Sequence, residues 1–291
     1  MCIAPGTVRV NKKHIIGSFE QTVACRKCPE CLQARQIQWY LRMAWQSLDR
    51  PKAYFTTLTY SPENIPLTES GHGTLSRVDI KKHSKAWADA DRALGLDKTL
   101  YYNVGEYGGK YGRPHYHQIL FTDDRTTLSE TWKRVEETWE KGRISVSEIT
   151  AKRLMYVAKY SDKRLRNRRH HDPETEQRVP EFSMMSNGIG LNYLTDDRKA
   201  WHKANDNLVI WDPLNLKFNR LPQYYIDRIW TTPVEHLHIR AIRQRSMERH
   251  QPQFETFEEE RYYEWQRAQY HAKLLRDQFK PSDRDLIEKV A

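Results

Sequence analysis

Two pairs of residues with reactive side chains stand at spacings that match regular secondary structure. His115 and His117 are two residues apart, and side chains at that spacing point to the same face of a β-strand. Tyr156 and Tyr160 are four residues apart, which places two side chains next to each other on a helix. Two imidazoles can bind a divalent metal ion, and phenol oxygens beside it are candidate nucleophiles. This chemistry would suit cutting and rejoining a nucleic-acid strand.

A predicted hairpin would add a carboxylate to the two histidines. Residues 99–106 and 114–122 have strand-like composition and are separated by a short glycine-rich turn, so we expect them to pair antiparallel. Glu106 would then lie near the turn, across from His115 and His117. Two imidazole nitrogens and one carboxylate oxygen form a mixed donor set for Mg²⁺ or Mn²⁺, and imidazole favours Mn²⁺.

The metal would polarise the scissile phosphate and offset negative charge in the transition state. Arg113 directly precedes the second strand and is a candidate contact for a neighbouring phosphate. The competing interpretation is that one histidine is simply exposed or satisfied within the hairpin, because a His-x-His pattern often occurs by chance.

The tyrosine pair predicts covalent catalysis. Attack by a tyrosine oxygen on a DNA phosphate would leave a 5′-phosphotyrosine and a free 3′-hydroxyl, and the link could later be reversed to join ends. Tyr156 and Tyr160 would permit two such steps in alternation. Lys159 could reach the phosphate or the leaving oxygen. The competing interpretation is that both tyrosines only pack on the sheet.

The charge distribution indicates a polyanionic partner near the tyrosines. The chain has 291 residues and a formal net charge of +10, which favours nucleic acid. A solvated charged face is the alternative for any basic run. Residues 234–291 have eleven basic and eleven acidic side chains, a balance that mildly favours protein contacts there. Eight basic residues in 152–169 form the predicted DNA-binding surface: Lys152, Arg153, Lys159, Lys163, Arg164, Arg166, Arg168 and Arg169.

The cysteines are clustered near the N-terminus. Cys25, Cys28 and Cys31 are three residues apart, and Cys2 could supply a fourth ligand. Four thiolates would form a closed structural zinc site, while unliganded thiols and an iron–sulfur cluster are the alternatives. The sequence lacks a signal-peptide pattern and a membrane-spanning apolar stretch. We therefore expect a protein of the reducing cytoplasm that has no membrane partner.

The order of predicted elements indicates an α+β fold. We expect a central antiparallel sheet covered on one face by helices, irregular structure over 167–220, and polar helix from about residue 221. Helices are predicted over 29–49, 75–94, 129–141 and 151–166, and strands over 53–60, 99–106, 114–122 and 143–149. The predicted regions are a cysteine-rich segment with a helix at 1–50, a catalytic domain at 51–195 and a mostly helical C-terminal region at 196–291.

Three motifs in this order resemble those of rolling-circle replication initiators of the HUH endonuclease superfamily, and gokushovirus initiators most of all. The resemblance covers roughly residues 20–195 and includes the cysteine spacing and the segment from Glu181 to Gly190. The motifs are Phe55-Thr-Thr-Leu-Thr-Tyr60, Gly105-Glu-Tyr-Gly108 with His115-Tyr-His117, and Tyr156-Val-Ala-Lys-Tyr160.

The resemblance implies an RRM-like, palm-like catalytic fold and a defined reaction. Such initiators nick the viral strand of the replicative-form DNA at its origin and stay attached to the 5′ end. Host polymerase and helicase would extend and unwind the DNA, and the initiator would circularise the displaced single strand. By this resemblance Tyr156 and Tyr160 are the active tyrosines, His115 and His117 are metal ligands, and Glu106 is the third ligand.

Other functions compete with this interpretation. A transposase or plasmid relaxase could use the same chemistry, but such transposases commonly use one tyrosine and relaxases usually use three histidines. A non-catalytic, zinc-stabilised DNA-binding protein would explain the charge and the cysteines. It would leave the histidine and tyrosine motifs to coincidence.

Overall fold

A computed structural model gives the fold around a five-stranded antiparallel sheet. It describes residues 6–11, 18–24, 26, 28–109, 111–160, 177–249, 256, 258, 259, 261, 262 and 265. The helices are α1 (Pro29–Asp49), α2 (Arg77–Ala93), α3 (Leu128–Thr138), α4 (Ala151–Lys159), α5 (Asp196–Ala204), α6 (Gln223–Ile229) and α7 (Pro233–Arg249). The strands are β1 (Gly6–Asn11), β2 (Ser18–Val23), β3 (Ala53–Thr59), β4 (Leu100–Tyr107), β5 (Pro114–Phe121), β6 (Ile144–Glu148), β7 (Phe182–Met185), β8 (Val209–Asp212) and β9 (Lys217–Arg220).

The central sheet has the order β6-β3-β5-β4-β7, and every neighbouring pair is antiparallel. The predicted hairpin is present as β4 and β5, so the chain returns directly beside the strand it has just left. Together with the packed helices, this arrangement confirms the α+β class. The strand β5 lies at the centre of the sheet, where it is flanked on both sides and buried along most of its length.

Helices cover both faces of the sheet, so the expectation of helices on one face is wrong. Because side chains alternate along a strand, two separate apolar cores form. On one face, α1, α4 and the C-terminal elements pack on a core that includes Phe55, Tyr102, Val104, Ile119 and Phe121. On the other face, α2 and α3 pack on Tyr54, Leu58, Tyr116 and Leu120. Large apolar residues on both faces of β3 and β5 require a layer on each side.

Side-chain caps set the starts of the helices near the sheet. Ser76 accepts a 3.1 Å hydrogen bond from the backbone N–H of Asp79 at the start of α2. At α3, Thr127 and Glu130 form a reciprocal capping box. Thr150 accepts from the backbone N–H of Arg153 at 3.2 Å and begins α4. Each cap satisfies a backbone donor that the helix itself leaves unpaired, so these starts are encoded locally.

Several elements lie where the sequence predicted little order. The segment before α1 contains the antiparallel hairpin of β1 and β2, although residues 1–31 show little regular pattern. The predicted irregular region 167–220 supplies β7, α5 and the β8–β9 hairpin. The four residues of β7 are too few for a periodic signal, and the strand is defined by pairing with β4 at the sheet edge. The C-terminal helical region is present as α6 and α7, and the helix predicted near Pro252 and beyond lies largely outside the described residues.

Candidate metal and tyrosine site

The β4–β5 hairpin brings the predicted carboxylate and histidines together. In its register Glu106 pairs with His115, and Val104 pairs with His117. The turn is closed by a 2.9 Å hydrogen bond from the Gly108 N–H to the Arg113 carbonyl. Two positions apart on neighbouring strands, the three side chains therefore share one face of the sheet.

A single carboxylate oxygen faces both imidazoles. Glu106 Oε1 lies 2.8 Å from His115 Nε2 and 3.0 Å from His117 Nε2. Glu106 is 3% exposed and His117 is 5% exposed, so water competes little for these contacts. The two imidazole rings stand nearly perpendicular, with their centroids 5.0 Å apart.

The opposite ring nitrogens are held by other groups. Thr57 Oγ1 lies 3.0 Å from His117 Nδ1, and the Arg113 carbonyl lies 3.1 Å from His115 Nδ1. A carbonyl oxygen can only accept, so the His115 contact requires a proton on Nδ1 and leaves Nε2 as a lone-pair donor. Such outer contacts orient the histidines of metal sites.

The donor set fits a divalent cation. One ligand atom from each of Glu106, His115 and His117 lies within 4.8 Å of the others. Among the described residues, this is the group of three or more His, Cys, Asp or Glu side chains with such geometry. Two nitrogens and one oxygen leave coordination positions open for phosphate oxygens, and the mixture suits Mn²⁺ or Mg²⁺.

Helix α4 places both tyrosines against this group. Its buried side carries Leu154, Val157 and Ala158, which pack on the core beneath the site. The Tyr156 hydroxyl donates a 3.1 Å hydrogen bond to Glu106 Oε1, and the Tyr160 hydroxyl donates a 2.5 Å bond to the Tyr156 oxygen. The tyrosines are therefore neither scattered nor merely structural neighbours of the sheet, because their hydroxyls converge on the carboxylate.

The electrostatic environment keeps the second tyrosine protonated. Burial raises the pKa of the Tyr160 hydroxyl far above its usual range, and the nearby Glu106 charge and Tyr156 add to the shift. Tyr160 is 8% exposed and stands at the C-terminal cap of α4. A phenolate at this position would therefore require compensating positive charge.

Two residues of β3 complete the site although the sequence assigned them no individual role. The Phe55 ring stacks on His117 with 5.2 Å between centroids, and Thr57 contacts the same imidazole. The signal that could have found them is the strand period, because residues 55 and 57 alternate onto one face. The antiparallel partner of Thr57 is His117 itself.

The predicted phosphate contacts have different placements. Lys152 and Lys159 are exposed on α4. The Arg153 guanidinium donates to the Glu148 carbonyl at 2.6 Å. Arg113 is exposed, and its guanidinium donates to the Tyr60 carbonyl. Predicted contacts outside the described residues are Lys163, Arg164, Arg166, Arg168 and Arg169.

The cysteine cluster is described only in part. Cys28 is buried and forms the N-terminal cap position of α1, and Cys31 is partly buried in the first turn of that helix. Cys2 and Cys25 lie outside the described residues. The zinc site therefore stays a prediction.

Comparison with known proteins identifies relatives among phage proteins. A family model for the replication-associated protein ORF2 matches residues 53–165, which run from β3 past α4 and so include the whole site. The chain is 30% identical over 236 residues to replication-associated protein ORF2 of Spiroplasma virus 4, covering 76% of this chain and 72% of the relative. No solved structure matches the chain significantly.

Two further relatives carry similar names. Replication-associated protein ORF4 of Chlamydia phage 1 is 26% identical over 196 residues. Replication-associated protein VP4 of Bdellovibrio phage phiMH2K is 30% identical over 165 residues. The matches cover 62% and 51% of this chain, and about half the length of each relative, 48% and 51%. In the described part of the chain, every helix is too short or too polar to span a membrane.

Proposed function

The chain belongs to the ORF2 family of phage replication-associated proteins, and from this we propose that it initiates rolling-circle replication of a phage genome. It would act as a site-specific, metal-dependent DNA endonuclease that also joins strands. Its substrates would be the replicative-form DNA and the displaced single strand.

The observation that carries this proposal is the contact between Tyr156 and Glu106. A hydroxyl 3.1 Å from the carboxylate that faces both histidines stands where a phosphate held at the group would be attacked. Packing on the sheet would account for buried tyrosine rings. It would not account for two hydroxyls that converge on the one carboxylate shared by the histidine pair.

In the first step a tyrosine oxygen forms a bond to the scissile phosphorus as the bond to the 3′-oxygen breaks. The phenol proton is lost, and a proton is gained by the leaving oxygen, which yields a free 3′-hydroxyl. The strand remains linked through a 5′-phosphotyrosine. Host polymerase would extend the 3′-hydroxyl while a host helicase unwinds the duplex.

In the closing steps the second tyrosine attacks the regenerated origin and frees a new 3′-hydroxyl. That hydroxyl attacks the first phosphotyrosine, displaces the phenol and closes a circular single strand. The number of phosphodiester-type bonds stays constant, so no external energy source is needed. Two adjacent tyrosines allow this alternation without releasing either end.

Glu106, His115 and His117 would hold the divalent cation, which supplies Lewis-acid polarisation of the phosphate when bound. Lys159, exposed at the end of α4, would offset phosphate charge. The basic residues of the 152–169 run would follow the DNA backbone. Family membership favours this function over a transposase or a relaxase. We place it in the cytoplasm of the bacterial host.

The test uses overlapping single strands that cover the genome encoding the chain, incubated with the protein and Mn²⁺. Denaturing gel electrophoresis should reveal a covalent protein–DNA adduct that EDTA prevents. Changing Tyr156 and Tyr160 together to Phe should abolish it. Glu106→Gln and His117→Ala should also suppress it. An adduct that persists in the double tyrosine variant would overturn the proposal.

For the cysteines we propose a structural zinc ion held by Cys2, Cys25, Cys28 and Cys31. Four thiolates would tie the N-terminal segment to the start of α1 and contribute to folding. Metal analysis of the protein purified without chelator should find about one zinc ion per chain. A zinc content near zero would remove this proposal and leave the catalytic one intact.

A further inference from the structure

The β8–β9 hairpin presents an apolar face to solvent. Its register pairs Val209 with Arg220 and Trp211 with Phe218, so these four side chains share one face of the two-stranded ribbon. The Trp211 and Phe218 rings meet edge to face, 5.0 Å apart. Trp211 is 38% exposed and Phe218 is 70% exposed, which is unusual for adjacent large aromatic residues on a folded domain.

The other face of the ribbon is firmly attached. Ile210 is buried in the core shared with α1 and α4. Asp212 is fully buried and accepts a 3.0 Å hydrogen bond from Tyr40 of α1. Trp45 of α1 donates to the Trp211 carbonyl at 3.0 Å. The exposed aromatic pair is therefore displayed on a rigid support, and it does not result from a loose hairpin.

Basic side chains stand beside this ribbon. Arg240 and Arg243 are three residues apart on α7 and so lie on one side of it. Arg243 donates a 3.0 Å hydrogen bond to Gln223, three residues after Arg220 at the end of β9. Burial lowers the pKa of Arg243, and the charges of Arg220 and Arg240 lower it further, against an opposing effect of Asp227.

The three arginines form a concentration of positive charge. Within the described residues, none of Arg220, Arg240 and Arg243 takes part in an ion pair with a carboxylate. Lys217 on the same hairpin is also exposed. Exposed aromatic rings beside unneutralised guanidinium groups are the combination that binds single-stranded nucleic acid, because bases stack on the rings while phosphates contact the cations.

We propose that Trp211, Phe218 and the arginines at 220, 240 and 243 form a second DNA-binding surface, one for single-stranded DNA. This inference rests on the proposed function, which generates a displaced single strand. Within a duplex the base faces are stacked on one another and cannot reach the aromatic pair. The surface is therefore selective for the unpaired strand and would hold it on the protein between cutting and joining.

The test measures equilibrium binding by fluorescence anisotropy, with the full chain in EDTA so that strand cutting is silent. The probes are a labelled mixed-sequence single strand and its matched duplex. Trp211→Ala with Phe218→Ala should weaken single-strand binding by about tenfold or more and duplex binding much less. Phe218→Ala alone removes an exposed ring and tests the surface without disturbing the packed face.

The arginines are tested through salt dependence. Arg220→Ala with Arg240→Ala should lower the slope of log affinity against log salt by about 0.7 for each phosphate that is no longer neutralised. Matched controls are Trp132→Ala, an exposed tryptophan on α3, and Arg92→Ala on α2. Both lie on the opposite side of the sheet, and neither should change binding.

Three results would overturn the proposal. They are single-strand affinity unchanged in both ribbon variants, equal losses for single strand and duplex, and a change in sedimentation from dimer to monomer without a change in DNA binding. The last would identify the face as a contact between copies of the chain. Because adduct formation is not measured, failure here leaves the nicking proposal standing. Conversely, an inactive nicking assay leaves this binding test valid.

Discussion

Tyr156 donates a 3.1 Å hydrogen bond to Glu106 Oε1, the same oxygen that faces Nε2 of both histidines. Tyr160 donates in turn to the Tyr156 oxygen at 2.5 Å and is the more buried of the two tyrosines. The two hydroxyls are therefore not equivalent. One contacts the candidate metal ligand directly, and the other lies behind it.

This asymmetry predicts that Tyr156 makes the first cut. Tyr156→Phe should slow formation of the first adduct by about tenfold or more, because it removes the oxygen next to the metal group. Tyr160→Phe should keep that rate within about threefold of the unmodified protein. Single-turnover adduct formation on denaturing gels measures both. The reverse order of effects would assign the first attack to Tyr160.

Thr57 is predicted to position His117 for metal binding. Thr57→Val keeps the shape of the side chain but removes the oxygen 3.0 Å from His117 Nδ1. Loss of such an outer contact typically lowers metal affinity by about 10–100-fold, which calorimetric titration with Mn²⁺ would show. Thr57→Ser should restore most of the affinity.

Thr56 offers a matched control for this experiment. It is the next residue along β3, points to the other face of the sheet, and donates to Gln118 at 2.8 Å. Thr56→Val should reduce stability without changing Mn²⁺ affinity. Equal losses of affinity in the Thr56 and Thr57 variants would mean that the effect comes from general destabilisation of the strand.

Gly190 is predicted to be far less tolerant of substitution than Gly188. Both have positive φ, +76° and +86°, so alanine at either costs about 1–2 kcal/mol in backbone strain. A Cβ at Gly190 would also lie 2.7 Å from the Arg42 carbonyl oxygen, whereas nothing lies within 4 Å at Gly188. Chemical denaturation should therefore show a loss for Gly190→Ala that exceeds that of Gly188→Ala by about 1–3 kcal/mol.

His83 is predicted to make the fold sensitive to acid. Burial lowers the pKa of His83 to about 4, below the unfolded value of about 6.5. Between these values the unfolded chain binds more protons than the folded one, so stability falls as pH falls. The loss between pH 7 and pH 5 should be about 2 kcal/mol.

The measurement for His83 is urea denaturation at both pH values. His83→Gln cannot titrate, so its free energy of unfolding should fall less over this interval by about that amount. The variant keeps a polar group near Gln118, whose side-chain oxygen lies 3.1 Å from His83 Nε2. The same pH dependence in both proteins would assign acid sensitivity to other groups.

Much of the candidate site was accessible from the sequence because its parts follow local periodicity. The two-residue spacing of His115 and His117 required only that the segment form a strand. The glycine-rich turn made the pairing of β4 and β5 short-range, which brought Glu106 beside the histidines. The four-residue spacing of the tyrosines required only one helix, and Thr150 caps its start.

The features that were missed depend on contacts distant in the chain. The strand β7 is only four residues long and exists because it pairs with β4 about eighty positions earlier. The second helical layer follows from the size of residues on both faces of β3 and β5, and a simple alternation of polar and apolar residues does not reveal it. Thr57 acquired a role only when β3 paired with β5.

The sequence by itself determined which groups could react, because residue type and short spacing fix the chemistry and the face on which each side chain lies. It also determined the basic balance that attracts a polyanion. Only the tertiary structure decided that Tyr156 contacts Glu106 directly while Tyr160 lies behind it. It also decided that the β8–β9 aromatic pair is displayed next to α7. Such distances are set by how a helix or hairpin docks on the sheet, which is a property of long-range packing.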